Sequence, residues 1–193
     1  MLFQQSPFAD RYNFGYWLNT RELISEAVEV GTHRGAFASR FMFTWLGSKL
    51  WCVDPYLAGY DPEDPASAGD RNDDAKEARR VLEPYRGRVN FAQITSEQAA
   101  RDLFLNHSIC FAYIDGCHQE SHVRRDLDLW WPKIQPGGVL AGHDFLEPGI
   151  HWGNHVQPAV MDFAKKHNVV INLVTEPSGA AWSYYMMKPN PKI

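Results

Sequence analysis

The chain has 193 residues, 45% of them hydrophobic and 22% charged, which is enough apolar material for one core. Its formal charge is −4 and it has no long basic run, so a nucleic-acid backbone is excluded as the main partner. No apolar run approaches the ~20 residues that span a bilayer, so no membrane partner is expected.

Met1 to Asp10 lacks the basic-then-apolar order of a secretory signal. Cys52, Cys110 and Cys117 are an odd set without a CxxC pair, which argues against a disulfide framework or a structural zinc site. A reducing, cytoplasmic location is expected. One domain over 1–193 is expected, with self-association left open.

The elements follow in chain order. Tyr12 to Trp17 is aromatic and reads as a cover over a site or a partner subunit. Ala27 to Gly31 is a short apolar run that ends in glycine, the format of a buried parallel strand. Arg34 to Leu46 places Phe37, Phe41 and Trp45 at i, i+4 and i+8, a helical stripe. Leu50 to Asp54 repeats the strand format and ends in an acid. Pro55 to Asn72 is rich in Pro, Gly, Asp and Ala, and 57–72 reads as a lid or insertion. Asp73 to Leu82 is a charged helix closed by Pro84.

Ser96 to Phe104 reads as a helix with Ser96 as its N-cap. Ile109 to Asp115 is the third apolar run. Glu120 to Trp131 is a helix stopped by Pro132, with Trp130 and Trp131 packing on a sheet. Pro136-Gly137-Gly138 reads as a tight turn into a fourth run, Gly138 to Asp144. His155 to His167 is the last helix. Val169 to Thr175 and Trp182 to Met187 read as an antiparallel hairpin around Pro177-Ser178-Gly179. Strands that alternate with helices predict an α/β fold: Rossmann-like, doubly wound and mostly parallel.

The turn Glu29-Val30-Gly31-Thr32-His33-Arg34-Gly35 follows the first strand. Gly31 lets the chain turn, and Gly35 permits a close approach of ligand at the next helix start. The spacing is GxxxG, not the GxGxxG of dinucleotide binders. An ordinary strand-to-helix turn fits it as well. Asp54 lies roughly 20 residues on, where an acid can accept hydrogen bonds from ribose hydroxyls. A turn or capping role for it is equally open.

Two longer stretches carry a resemblance. The first is Ile114-Asp115-Gly116-Cys117-His118. The second runs from Asp126-Leu127-Asp128-Leu129-Trp130-Trp131-Pro132 through Pro136-Gly137-Gly138 to Gly142-His143-Asp144-Phe145. With the glycine turn, they resemble the class I S-adenosylmethionine-dependent methyltransferases. Within those, the match is to the small group related to macrocin and cephalosporin-pathway O-methyltransferases. The resemblance covers about Ala27 to Phe145. It implies a seven-stranded sheet with a C-terminal antiparallel strand. It implies that Glu29, Gly31, Thr32 and Gly35 line the methionine half of the cofactor. It further implies that Asp54 holds the ribose, that Ser96 lies near the adenine, and that Asp115 faces the methionine amino group or a metal.

Methyl transfer from a sulfonium is an in-line displacement, so the enzyme must align the acceptor and take its proton. The resemblance points to His118 as base; His143 lies on the same rim. Asp115 and Asp144 are the expected ligands if a divalent metal (Mg or Mn) takes part. The family's better-understood members have an adjacent Glu-Asp pair where this chain has His143-Asp144, which leaves three-carboxylate coordination open. Water, Glu147 or substrate could complete the shell, or a softer metal could bind. His151, Trp152 and His155 read as loop packing or substrate contacts, and Cys117 as a bystander.

The expected partner is a small-molecule acceptor such as a sugar, natural product or phenolic. The alternatives are a nicotinamide-dependent oxidoreductase and a non-catalytic cofactor-binding module. The missing GxGxxG opposes the first, and the retained acids and histidines oppose the second.

Overall fold

The computed structural model describes residues 2–60, 67–145, 155–175 and 182–191. The strands are β1 (Phe3–Gln5), β2 (Glu26–Val30), β3 (Lys49–Val53), β4 (Val89–Ala92), β5 (Ile109–Ile114), β6 (Ile134–Phe145), β7 (Ile171–Val174) and β8 (Trp182–Met187). The helices are α1 (Phe14–Asn19), α2 (Ala36–Thr44), α3 (Asn72–Leu82), α4 (Ser96–Asp102), α5 (Glu120–Trp130) and α6 (Val156–His167). The strands form one sheet in the order β1-β7-β8-β6-β5-β2-β3-β4. From β4 to β6 neighbours pair in parallel, and β8 lies antiparallel between β6 and β7. No described helix is long and apolar enough to cross a membrane.

All six residues of β5 are buried, as expected of a central strand covered on both faces. Phe111 and Tyr113 join the core formed with α1 and α2. Ala112 and Ile114 join the opposite core with α4, α5 and α6. The aromatic stripe of α2 is buried as its spacing requires. Phe41 is 0% exposed and stacks on Phe111, and the Trp45 indole N–H donates to Leu23 O at 2.9 Å. Truncating a buried aromatic of this kind costs about 3–5 kcal/mol.

Several expectations need correction. The sheet has eight strands, not seven. Phe3–Gln5 adds in parallel to β7, a pairing too short to mark itself in sequence. The apolar runs also did not mark β4, whose Asn90 breaks the hydrophobic pattern. The helix after β4 is capped by Thr95, not Ser96. The Gln98 N–H donates to Thr95 Oγ1, the Thr95 N–H donates to Gln98 Oε1, and Ser96 is left inside the helix.

Pro136-Gly137-Gly138 is not a turn between elements. It lies within β6, where the pairing jumps from Ile109↔Ile134 to Phe111↔Val139. The extra residues bulge outward, Gly137 adopts φ +75, and the Gly137 N–H donates to Lys188 O at 2.9 Å. Within the aromatic N-terminal segment, Phe14 is fully buried against the sheet, Tyr12 and Trp17 are partly buried against the same core, and Tyr16 stays exposed.

The chain leaves β2 toward β3 and β4 on one side, and the later strands β5 and β6 build the other. The carboxyl ends of β2 and β5 therefore frame the point where strand order reverses. Open α/β sheets bind ligands there.

Candidate active site

Strand ends and the segments after them bring Gly31, His33, Asp54, Ser96, Asp115, His118 and Asp126 around one cleft. Its volume is about 850 Å³, open mouth included. The described part of the proposed lid contributes Pro55, Leu57, Tyr60, Ser67 and Arg71 to the wall. Glu147, His151, Trp152 and the Pro177-Ser178-Gly179 turn lie outside the described residues.

Gly31 has φ +87, which favours glycine. A Cβ there would lie 2.0 Å from the Asp115 carbonyl oxygen. The glycine is therefore required first by the β5 backbone, and only its open side faces the cleft. Gly35 has φ +76 and caps α2, and its added Cβ would meet Val81 and Ala78 of α3. The close approach at Gly35 is thus helix against helix, and it is not among the cleft-lining residues. Glu29 and Thr32 are each 2% exposed, beneath the turn. Burial, with the nearby charge of Asp115, raises the Glu29 acid well above its ordinary range. Glu29 Oε2 has no hydrogen-bond partner among the described residues.

Asp54 organises two loops. Its Oδ2 accepts the His33 N–H and its Oδ1 accepts the Tyr56 N–H, both at 2.8 Å. The Tyr56 hydroxyl donates to His33 O at 2.9 Å, closing the unit. Each carboxylate oxygen keeps a lone pair beyond these bonds. Sequence reading missed a second organiser, Asp74. It accepts from Arg71 Nε at 2.6 Å and Arg34 Nε at 2.8 Å, with His33 Nε2 at 3.6 Å. Partial burial pushes the Asp74 acid up, but the guanidinium hydrogen bonds outweigh it and hold it below its ordinary range. Acids at the start of a helix are common, and no sequence signal marks this one as a hub.

The rim beside β5 and β6 gathers four of the expected residues. His118 Nε2 lies 2.9 Å from Asp144 Oδ2 and 3.7 Å from Asp115 Oδ1. His143 Nδ1 lies 3.2 Å from Asp144 Oδ2 and 3.9 Å from Asp115 Oδ1. Asp144 adopts φ +56, and the β6–β8 register shifts between Gly142 and Phe145. This bulge turns its carboxylate to the rim at some backbone cost. Burial opposes charge on His118, yet the neighbouring carboxylates of Asp115 and Asp144 prevail and raise it to about 11. His143 is raised for the same reasons, led by Asp144. Asp144 is held far below its ordinary range by the two histidines, against its own burial. One ligand atom each from Asp115, His118 and Asp144 lie within 4.8 Å of one another, close enough to share a cation.

Ser96 is 4% exposed, and its hydroxyl donates to Asp126 Oδ1 at 2.6 Å. The Trp130 indole N–H donates to Ser96 Oγ at 2.9 Å. Burial raises the Asp126 acid to about 6, with the Ser96 hydrogen bond working against it. Trp130 thus packs in the core and also holds this pair. Asp126 was not among the residues expected in the site, because a lone Asp in an amphipathic helix reads as surface.

The comparisons agree with this architecture. No curated protein matches the sequence significantly. A Corynebacterium glutamicum protein shares 16% identity over 96% of this chain and 84% of its own, with a TM-score of 0.66. An O-methyltransferase from Bacillus cereus, solved in complex with SAH, shares 15% identity over 96% of this chain and 83% of its own, at TM-score 0.63. A Burkholderia thailandensis 1,6-didemethyltoxoflavin N1-methyltransferase, solved with S-adenosylhomocysteine and 1,6-didemethyltoxoflavin, shares 13% identity over 93% of this chain and 78% of its own, at TM-score 0.62. At these identities the likeness is one of fold. The family described as "Methyltransferase domain" matches residues 28–145, from β2 through the rim aspartate, and the chain belongs to that family.

Proposed function

We propose that this chain transfers a methyl group from S-adenosylmethionine to a hydroxyl of a small molecule, as one catalytic domain working in the cytoplasm. The observation that carries the reading is the pair of cleft-lining strand-end acids, Asp54 and Asp115, around a glycine turn at the point where strand order reverses, with Glu29 buried beneath that turn. Among the described residues Glu29 Oε2 has no partner, and Asp115 adds repulsion. A ligand ammonium group beside Asp115 would offset that repulsion. Asp54 offers lone pairs to ribose hydroxyls. The three cysteines are buried thiols outside any disulfide, which suits a reducing compartment.

The reaction breaks the S–CH₃ bond, forms an O–CH₃ bond and releases the hydroxyl proton. His118 is the group proposed to take that proton, but at about 11 it already holds one while paired with Asp144. Its role as base therefore requires that something separate the pair. Asp115, His118 and Asp144 would hold a divalent cation, which when bound polarises the acceptor oxygen. Two carboxylates and one imidazole suit manganese better than magnesium. A cation drawn to the carboxylates would also favour neutral His118. The rim fits hydroxyl acceptors because it carries groups able to hold a proton, which a hydroxyl nucleophile must lose.

Titration calorimetry with S-adenosylhomocysteine tests the cofactor part. Saturable binding is expected, and it should weaken in Asp54→Ala. No heat at any ligand concentration, in a folded sample, would overturn it.

A further inference from the structure

The segment that follows β3 turns back onto the cleft. Leu57, Ala58 and Gly59 are exposed, while Tyr60 is half-buried and lines the wall. The Gly59 N–H donates to Ser67 O at 2.6 Å, which fastens the two described stretches of the segment to each other. Arg71 Nε donates to Asp74 Oδ2 at 2.6 Å and ties the second stretch to α3. Tyr60 therefore stands on a base that is held, not on a free arm.

From that base Tyr60 reaches another element. Its ring meets the His122 ring edge to face, with centroids 6.2 Å apart. His122 is in the first turn of α5, which follows β5, whereas Tyr60 follows β3. β2 lies between those strands, so the contact joins segments that leave the sheet two inter-strand steps, roughly 10 Å, apart. Gly31, Asp54 and Asp115 follow directly on the same three strands and line the cleft. His122 itself is not among the cleft-lining residues. The Tyr60 hydroxyl is raised above its ordinary range by burial first and by Asp126 next, so the ring is drawn in among the cleft's own groups.

We propose that Tyr60 and His122 form a latch across the mouth of the cleft, which opens for the cofactor to enter and again for it to leave. The latch rests on the function proposed above. Passage breaks the same contact in both directions, so the contact adds to the barrier rather than to the stability of the bound state. An aromatic pair is strong enough to slow each step by roughly twofold to tenfold. S-adenosylhomocysteine is the product of the proposed reaction, and opening of such a latch is a step that commonly limits product release.

The test is stopped-flow tryptophan fluorescence, which gives the association and dissociation rate constants of S-adenosylhomocysteine separately. Tyr60→Ala and His122→Ala should each raise both constants by roughly twofold to tenfold, with Kd moving less than either rate. The double variant should be no faster than the quicker single one, because either change alone removes the contact. Thermal melts confirm that each variant is folded, and His122→Gln, which has no ring, serves if the alanine variant is not. Unchanged rates in a folded His122 variant overturn the latch. So does a Tyr60→Ala protein that speeds release alone, since Tyr60 would then be a ligand contact. If wild type does not bind S-adenosylhomocysteine, the cofactor reading itself has failed and the latch falls with it.

Discussion

Replacing Gly31 by alanine isolates what the glycine turn does. Two costs act together. The backbone sits at φ +87, where an L side chain costs about 1–2 kcal/mol. The new methyl would lie 2.0 Å from the Asp115 oxygen and 2.5 Å from its carbonyl carbon. Those atoms cannot step aside cheaply. The Asp115 N–H donates to Val30 O at 2.8 Å, and the Gly31 N–H donates to Val53 O at 2.8 Å. The turn is thus tied to both neighbouring strands. Overpacking against a fixed backbone adds about 1–3 kcal/mol. The sum, about 2–5 kcal/mol, corresponds to a fall in Tm of roughly 4–20 °C for a chain of this size.

Gly59→Ala is the matched control. Gly59 has φ +67, but its added Cβ would meet nothing within 4 Å among the described residues. It should show the backbone cost alone. Thermal and urea unfolding of both variants gives the difference, and calorimetry with S-adenosylhomocysteine follows the site. Equal losses in the two variants would refute the packing argument. A Gly31→Ala protein of wild-type stability that no longer binds would instead make the glycine a ligand contact alone.

Three further outcomes are expected. Asp54→Ala should weaken S-adenosylhomocysteine binding by about 1.5–3 kcal/mol, and should also lower Tm, because the His33 and Tyr56 N–H groups lose their acceptor; an effect on neither would leave Asp54 without a role. His118→Gln, compared with wild type by urea unfolding, tests the rim pair: His118 is raised from 6.5 to about 11, so its contribution should be complete below pH 6.5 and fade as pH rises toward 11, and a difference independent of pH contradicts it. Manganese should bind wild type but not Asp144→Asn, read by the loss of the free-ion resonance, and should bind less well as pH falls because His118 must give up its proton; equal binding by both proteins would place the ion elsewhere.

The sequence made the alternation of β2, α2, β3 and β5 legible because buried parallel strands are nearly continuous apolar runs and α2 carries a clean aromatic stripe. It also pointed to Asp115, His118, His143 and Asp144 as one group, through their place after adjacent strands. It did not reveal how they are paired. The Asp144–His118 contact depends on a β6 bulge and a left-handed aspartate, and neither follows from residue type. β1 escaped notice, and β4 was implied only by the resemblance and not marked by an apolar run, because short edge strands need few apolar residues. Asp126 escaped because its burial comes from the packing of α5 over α4, a tertiary fact.

Three residues with positive φ stand at the carboxyl ends of the strands: Gly31 and His33 line the cleft, and Asp144 stands on the rim beside it. Only one is glycine. His33 is held by its N–H bond to Asp54 and by the Tyr56 hydroxyl on its carbonyl. Asp144 is held by two histidines. Each strained residue is therefore restrained by charged or polar partners that also belong to the site. A ligand that draws Asp54 or Asp144 into new hydrogen bonds competes with those restraints directly. Binding and local backbone conformation should thus be coupled at His33 and Asp144, while Gly31, held by backbone alone, should stay fixed. Amide exchange with and without S-adenosylhomocysteine separates the two: protection should change at His33 and Tyr56 but not at Gly31. Equal changes at all three would mean that the turn moves as one body, and that Asp54 does not mediate the coupling.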